Sequence, residues 1–421
     1  MIDELDPFAA VHRADPYPVY RALRDRAPIH HSASMDCYCV SRFEDVQQVL
    51  KQPEVFSSRA MFTMLMNNGS RGVDLSWGGM RLALKLVFDL RMAPWKFVRA
   101  RVLIAEDGDR HSAMRGILNR GFTPREVKAW EGRIRTLAAG CVEPLAGGEP
   151  FDIIQDLAVP LPVTVVAELL GVEPERRPDF KRWSDATIYN ATGPGRADPF
   201  NAEFLTTMSE LFEYFGEVIE ARTAAPTDDL IGRLLASQTD EPEPLSALEL
   251  VMFITLLMVA GNETTTNAIG NGVDALLRHP DQLSRLAADP ALAERVVEET
   301  LRYDAPVQVV FRTTAAATEI AGTRIPKGAY VAALVGSANR DERRFSDPDR
   351  FDLSRETQGH LGFGLGKHFC LGASLARLQA RLAFEALAPE LPQVATAGGK
   401  REHVDSFLVR GLRTLPVRPI A

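Results

Sequence analysis

Cys370 stands alone in a run nearly stripped of side chains, GHLGFGLGKHFCLG, residues 359–372. Glycines at this density suit neither a helix nor a strand, because each adds backbone freedom that a regular element must remove. Beyond Cys370 the pattern changes. Leu371, Leu375, Leu378, Leu382 and Leu387 recur at roughly helical spacing, so the cysteine lies where a glycine-rich loop enters a helix. The positive end of a helix stabilises a thiolate, and Lys367 and His368 add positive or polar character beside it. A lone cysteine is more often a small buried hydrophobe. Glycines on both sides favour another reading, in which something flat and large approaches the loop.

Three further groups have spacings that could do chemistry. In the middle of an apolar helical stretch, residues 245–277, stands Ala260-Gly261-Asn262-Glu263-Thr264-Thr265-Thr266. A glycine, an acid and three β-branched alcohols make poor helix, so tertiary purpose must outweigh propensity. An acid beside an alcohol could deliver protons; taken alone, Thr264 would bond back to a carbonyl one turn earlier and Glu263 would face solvent. His111 and Arg115 share a helix face at a spacing of four, as a solvated pair or as donors to an anion. Glu299 and Arg302 pair at i and i+3, a common surface arrangement worth under about 1 kcal/mol.

In order and spacing these stretches resemble the cytochrome P450 family, a likeness running from about Pro16 to Pro416. The heme loop Phe-Gly-x-Gly-x-x-x-Cys-x-Gly is matched by Phe363, Gly364, Gly366, Cys370 and Gly372, and Ala-Gly-x-Asp/Glu-Thr by Ala260, Gly261, Glu263 and Thr264. The resemblance implies heme b (iron protoporphyrin IX) with Cys370 as its axial thiolate, which favours O–O cleavage. It implies that His111, Arg115, Arg312 and His360 meet the heme propionates, for which arginine is a bidentate donor. Gly261 would let the long helix widen locally. Thr264 would hydrogen-bond the dioxygen and hold a water, and Glu263 would relay protons from solvent. Glu299 and Arg302, with Arg350 of Pro348-Asp349-Arg350-Phe351, would form a buried structural network under the loop. Val309, Val310, Phe407 and Leu408 would contact the substrate.

The elements that must position these groups follow from periodicity. Helices are expected at residues 16–26, 43–51, 151–171, 204–222 and 245–277, the last opened by Ser246 as N-cap with Glu249 three residues on. Strands are expected at 37–40 and 306–312 and a hairpin near 406–409. Residues 57–106, rich in methionine, glycine and large apolar groups such as Trp77 and Trp95, read as a pocket lid. ATGPGRADP, within residues 190–199, reads equally as a substrate gate or a plain surface loop. The fold class implied is mainly α, with a smaller β-rich lobe, in one domain over residues 1–421.

Composition sets the outer bounds. The chain has 421 residues, 46% hydrophobic and 25% charged, with a net charge of −8, a balance that argues against nucleic acid as partner. Cys37, Cys39, Cys141 and Cys370 form no disulfide-like framework, which fits a reducing, cytoplasmic setting. The acidic start MIDELDPFAA resembles no signal peptide, and the apolar run 251–260 is short against the roughly 20 residues of a membrane span. The function implied is a monomeric monooxygenase without a membrane anchor. It would insert one oxygen atom of O2 into an apolar small molecule, a terpenoid, steroid, fatty acid or secondary metabolite. Its electrons would come from NAD(P)H through a separate ferredoxin and ferredoxin reductase, docked on Arg115, Arg120, Arg125, Lys128 and Lys367 or leaving those residues merely solvated. Peroxide-driven or isomerising chemistry on the same iron, and heme or lipid binding without turnover, are the alternatives.

Overall fold

The computed structural model describes residues 4–59, 61, 102–192, 202–398 and 401–420. Most of the expected lid and of the expected gate lies outside them. The chain divides into two compact units: residues 1–56, 124–162 and 261–421 form the first, residues 57–123 and 163–260 the second.

The first unit holds the strands. β1 (Ile29–Ser32), β2 (Cys37–Val40), β8 (Tyr330–Leu334), β5 (Val309–Thr314) and β3 (Phe56–Ser57) form a sheet in the order β1-β2-β8-β5-β3. β2 runs parallel to β8, while β1 and β5 run antiparallel to their partners. A three-stranded sheet joins β4 (Phe151–Asp152), β10 (Pro416–Pro419) and β9 (Val394–Thr396), and β6 (Thr318–Ile320) pairs with β7 (Thr323–Ile325). The helix Phe43–Lys51 buries Phe43, Val46, Val49 and Leu50. Spacings of three and four residues put these on one stripe, which packs with Phe56, Val331, Ala333, Phe345 and Leu361 in a single apolar cluster.

Several expected elements are found close to their expected bounds, and the helix expected at 151–171 is not. Tyr17–Arg26 begins with proline in its first turn. Residues 151–171 do not form one helix. Phe151 and Asp152 pair with β10, Ile153–Ala158 forms a π turn, and an α-helix runs only from Pro160 to Leu169. Asp152 is the physical reason: its carboxylate accepts from the amides of Ile154 and Gln155 and from that of Leu415, so it caps the turn and ties it to the sheet.

The long helix Ala247–Arg278 opens with the expected capping box: Ser246 N–H and Oγ donate to Glu249 Oε2 at 2.9 Å each, and Glu249 N–H returns to Ser246 Oγ at 3.3 Å. It contributes residues 247–260 to the second unit and 261–278 to the first. Among the described residues it is the one helix long and apolar enough to cross a membrane by length and composition. Its buried Asn262, Glu263, Asn267, Asn271 and Asp274 mark it as a core helix. In the second unit, Asp229 caps the helix Leu230–Ser237 through Gly232 N–H at 2.8 Å and pairs with Arg222 at 3.0 Å.

Under the cysteine loop lies a buried ion network. Arg302 Nε donates to Glu299 Oε2 at 2.7 Å and Nη2 to Oε1 at 2.8 Å, with both side chains at most 1% exposed. The remaining guanidinium hydrogens reach the carbonyls of Asn339, Pro348 and Arg350. The third member is Arg355, whose Nε meets Glu299 Oε1 at 3.1 Å, and not the expected Arg350. Arg350 supplies its backbone carbonyl, and its guanidinium lies in solvent opposite Asp281. Breaking a buried pair leaves an uncompensated charge and costs about 3–5 kcal/mol, so Glu299→Ala should lower the urea midpoint severely. Arg355→Ala should lower it less, and Arg350→Ala should leave it unchanged. A larger loss for Arg350→Ala than for Arg355→Ala would reverse the assignment.

Candidate active site

The loop expected to hold the reactive cysteine is a chain of tight turns. Gly364 N–H donates to Leu361 O at 2.8 Å, Phe369 N–H to Gly366 O at 3.1 Å and Cys370 N–H to Phe363 O at 2.9 Å. Gly364 and Gly366 have φ of +70° and +72°, where a side chain is strained. Gly362 is confined for another reason, since a Cβ there would lie 2.7 Å from Leu301 O. Packing and backbone conformation therefore give these three glycines a reason of their own, beside any space that they leave for a ligand. Gly372 differs: no atom lies within 4 Å of where its Cβ would be. The helix Ala373–Leu387 follows directly, with Gly372 as its N-cap, so Cys370 sits just ahead of the helix. Cys370 is half-buried, and none of the four cysteines is disulfide-bonded.

Among the described residues no cluster of three or more His, Cys, Asp or Glu could hold a metal ion. A single thiolate at a glycine-bearing bend suits a metal that brings its other ligands with it, as iron in a porphyrin does. Open space at Gly372 and a sulfur at the mouth of a helix fit such a group.

On the long helix, Glu263 is buried and Thr264 half-buried in the first unit, while Ala260 is exposed and belongs to the second. The run stays α-helical through Gly261, without the expected widening. Thr266 spends its hydroxyl on Ala158 O at 2.8 Å, which explains one alcohol of the three by packing. Further along, Asn271 Nδ2 donates to the carbonyls of Asp304 and Arg410 at 3.0 Å each. Gly411 is pressed so close to Asn267 that a Cβ would lie 1.8 Å from its side-chain oxygen.

The expected propionate donors divide. Arg312 is buried on β5, its Nη1 donating to Phe311 O at 2.8 Å. In the second unit His111 is buried on the helix Gly108–Asn119, with Arg115 half-buried one turn later. His360 is committed elsewhere. Its Nδ1 accepts from Gly362 N–H at 3.0 Å, which places the ring proton on Nε2, and Nε2 meets Glu298 Oε2 at 3.0 Å. Neither ring nitrogen is left for a propionate in this arrangement. His368, which the sequence places as a polar neighbour of the cysteine, is half-buried two residues before Cys370; it was not among the expected propionate donors.

The substrate contacts also need one correction. Adjacent strand residues point to opposite faces, so Val309 and Val310 cannot both line one pocket. Val310 shares a face with Arg312. Val309 is buried on the other face with Phe311, whose ring stacks on Phe8 and meets Phe407 edge-on. The expected hairpin is a pair of isolated bridges, Val307 to Val409 and His403 to Leu412, with Gln308 N–H donating to Leu408 O at 2.8 Å.

A mainly helical fold with a small β-rich part, and a half-buried cysteine at the turn into a helix, fit the heme-thiolate class that the sequence resembles. Comparison with known proteins agrees: the family model Cytochrome P450 matches residues 199–388. The chain is 36% identical over 420 residues to the Vitamin D(3) 25-hydroxylase of Pseudonocardia autotrophica, covering 99% of this chain and 96% of that one. Its fold matches cytochrome P450 CYP109Q5 from Chondromyces apiculatus with a TM-score of 0.85 and 38% identity, over 100% and 99% of the two chains. It matches CYP109E1 from Bacillus megaterium in complex with testosterone with a TM-score of 0.80 and 31% identity, over 97% and 100%. The chain belongs to the cytochrome P450 family and is a heme monooxygenase, using O2 and reducing equivalents from redox partners on a small-molecule substrate.

The two kinds of loop glycine can be told apart experimentally. Gly362→Ala drives a methyl into a backbone carbonyl, and a misfit of this kind costs typically 1–3 kcal/mol, read as a lower urea midpoint. Gly372→Ala should leave that midpoint within error. Equal losses would show that Gly372 too is held by the protein's own packing.

Proposed function

We propose that this chain is a single-domain, monomeric, cytoplasmic cytochrome P450 that holds heme b through Cys370 and hydroxylates an apolar, steroid-like molecule. Electrons pass from NAD(P)H through a separate ferredoxin reductase and ferredoxin. One observation carries the reading: the only cysteine at a loop–helix junction is held in place by turns and by its own N–H bond to Phe363 O. When bound, the heme supplies the activation of O2 that puts one oxygen atom into a C–H bond and the other into water.

The chain's residues do the rest. The Arg312 guanidinium, buried on β5, would meet a propionate, a role that the half-buried His368 would share in place of the committed His360; for His111 and Arg115 the role is the one the resemblance implies. Phe363, Gly364 and Gly372 shape the loop around the cofactor. Thr264, half-buried, would hold a water through its hydroxyl, and Glu263, buried on the same helix, would pass protons inward. Val310 packs against the apolar cluster around the helix Phe43–Lys51, so of the expected strand contacts Val309 is the one that shares a face with Phe311, on which Phe407 packs; Leu408 follows Phe407 in the same segment. Arg125, Lys128 and Lys367 are exposed and available to an acidic partner, whereas Arg120 is engaged by Glu241 and by Ser237 O. Support for a steroid-like substrate comes from the hydroxylase named for vitamin D(3) and the testosterone-bound structure, each about a third identical to this chain. Support for one domain comes from matches that span nearly the whole chain.

The purified protein, reduced with dithionite under carbon monoxide, should give the red-shifted Soret band of thiolate coordination, and Cys370→Ala should lose it. Thr264→Ala should keep the band and continue to consume NAD(P)H while product per electron falls by about 10²-fold. Titration with steroids should shift the ferric spin state. Product formation that needs no electron donor would point instead to peroxide-driven or isomerising chemistry, and absence of the band would end the heme-thiolate reading.

A further inference from the structure

Glu298 precedes the network residue Glu299 on the helix Ala293–Tyr303 and reaches a different set of partners. Its Oε1 accepts from Arg377 Nε at 2.6 Å, and its Oε2 from Arg377 Nη2 at 3.1 Å and His360 Nε2 at 3.0 Å. Burial would push the Glu298 carboxyl up, but the His360 and Arg377 contacts outweigh it and hold the group down at about 2. His360 stands where the chain enters the cysteine loop, and Arg377 lies in the first turns of the helix by which it leaves. One carboxylate therefore grips both ends of the loop. Two further contacts run inward: the Arg377 guanidinium lies 4.5 Å from the centre of the Phe363 ring, and Phe363 O accepts the Cys370 N–H at 2.9 Å.

We propose that Glu298 is a positioning residue for the Cys370 sulfur, clamping the loop through His360 and Arg377 so that the thiolate keeps one place and one form. The inference rests on the reading of Cys370 as the heme ligand. Magnitude separates this role from general stabilisation. Glu298 is 23% exposed and Arg377 38%, and ion pairs so open to water add little to global stability. Fixing the two ends of a loop is a different matter, because the two grips remove local openings that do not require unfolding. Neighbouring glutamates on one helix thus divide the work: Glu299, 1% exposed, holds the fold, and Glu298 holds the loop.

The test compares full-length, heme-loaded Glu298→Gln with wild type. Urea midpoints should agree. Under dithionite and carbon monoxide, the variant should convert from the red-shifted Soret form to the shorter-wavelength form about tenfold faster than wild type. Amide exchange over residues 361–372, a readout that does not depend on the iron, should also accelerate. Arg377→Lys keeps the charge but loses the two-pronged contact, and should fall between. Glu131→Gln removes a carboxylate that pairs with Arg381 and Arg135 away from the loop, and should match wild type. Wild-type conversion and exchange rates in Glu298→Gln would overturn the inference while leaving the heme-thiolate reading intact, and so would a fall in urea midpoint as large as that of Glu299→Ala. A wild-type protein without the red-shifted band would overturn both.

Discussion

A guanidinium with no access to water, that of Arg302, organises the part of the protein on which the chemistry depends. Removing such a group from solvent is expensive, and the cost is offset only if every hydrogen finds an acceptor. Here Glu299 takes two contacts and three backbone carbonyls take the others. Those carbonyls belong to Asn339, Pro348 and Arg350, a stretch with little regular structure of its own. Asn339 extends the same set of bonds, donating to Leu301 O at 3.1 Å and accepting from Leu361 N–H at 2.7 Å. The first turn of the cysteine loop is thereby placed by directional bonds to a helix, which apolar contact alone could not do. Such networks are cooperative, and a half-satisfied one would be worse than none.

A second set of bonds fixes the segment that carries Phe407 and Leu408. Asp304 follows the helix Ala293–Tyr303 and is fully buried. Burial alone would raise its carboxyl, but Arg410 and Arg340 beside it and the Tyr17 hydroxyl at 2.5 Å keep it below the ordinary carboxylate range. Arg410 Nε meets Asp304 at 2.7 Å, and Asn271 of the long helix bonds the carbonyls of both residues. The close fit of Gly411 against Asn267 completes the join. A helix that carries Glu263 and Thr264 and a chain segment expected to touch substrate are so held in one frame, with little freedom to shift independently.

What the sequence made legible were features that chemistry fixes over a few residues. The Ser246–Glu249 capping box, the helix Phe43–Lys51 and the strand Cys37–Val40 could be read because each is a short pattern with one structural solution. Glu299 and Arg302 were legible for the same reason. The third member of their network was not, since Arg350 and Arg355 lie five residues apart in an irregular stretch, and only the backbone path decides which guanidinium turns inward. His360 was misassigned on similar grounds: its neighbour Glu298 is distant in sequence. For the glycines of the loop, the sequence did not show that two answer to positive φ and one to the carbonyl of Leu301. Val309 and Val310 could have been separated from sequence alone, because strand period forbids both from facing one pocket.

The helix Ala293–Tyr303 shows why residue type is a weaker guide than surroundings. Glu298 and Glu299 are adjacent and chemically identical, yet a step of about 100° around the helix sends them to different neighbours. Glu299 turns into a site with no water, where its charge must be matched in full and its removal would leave Arg302 exposed to the whole desolvation penalty. Glu298 turns toward a half-open groove, where water shares the charge and what remains is geometry: two partners, from opposite ends of one loop, meeting at one carboxylate. Buried charge therefore sets whether this region folds, and half-exposed charge sets how still the cysteine is held once it has.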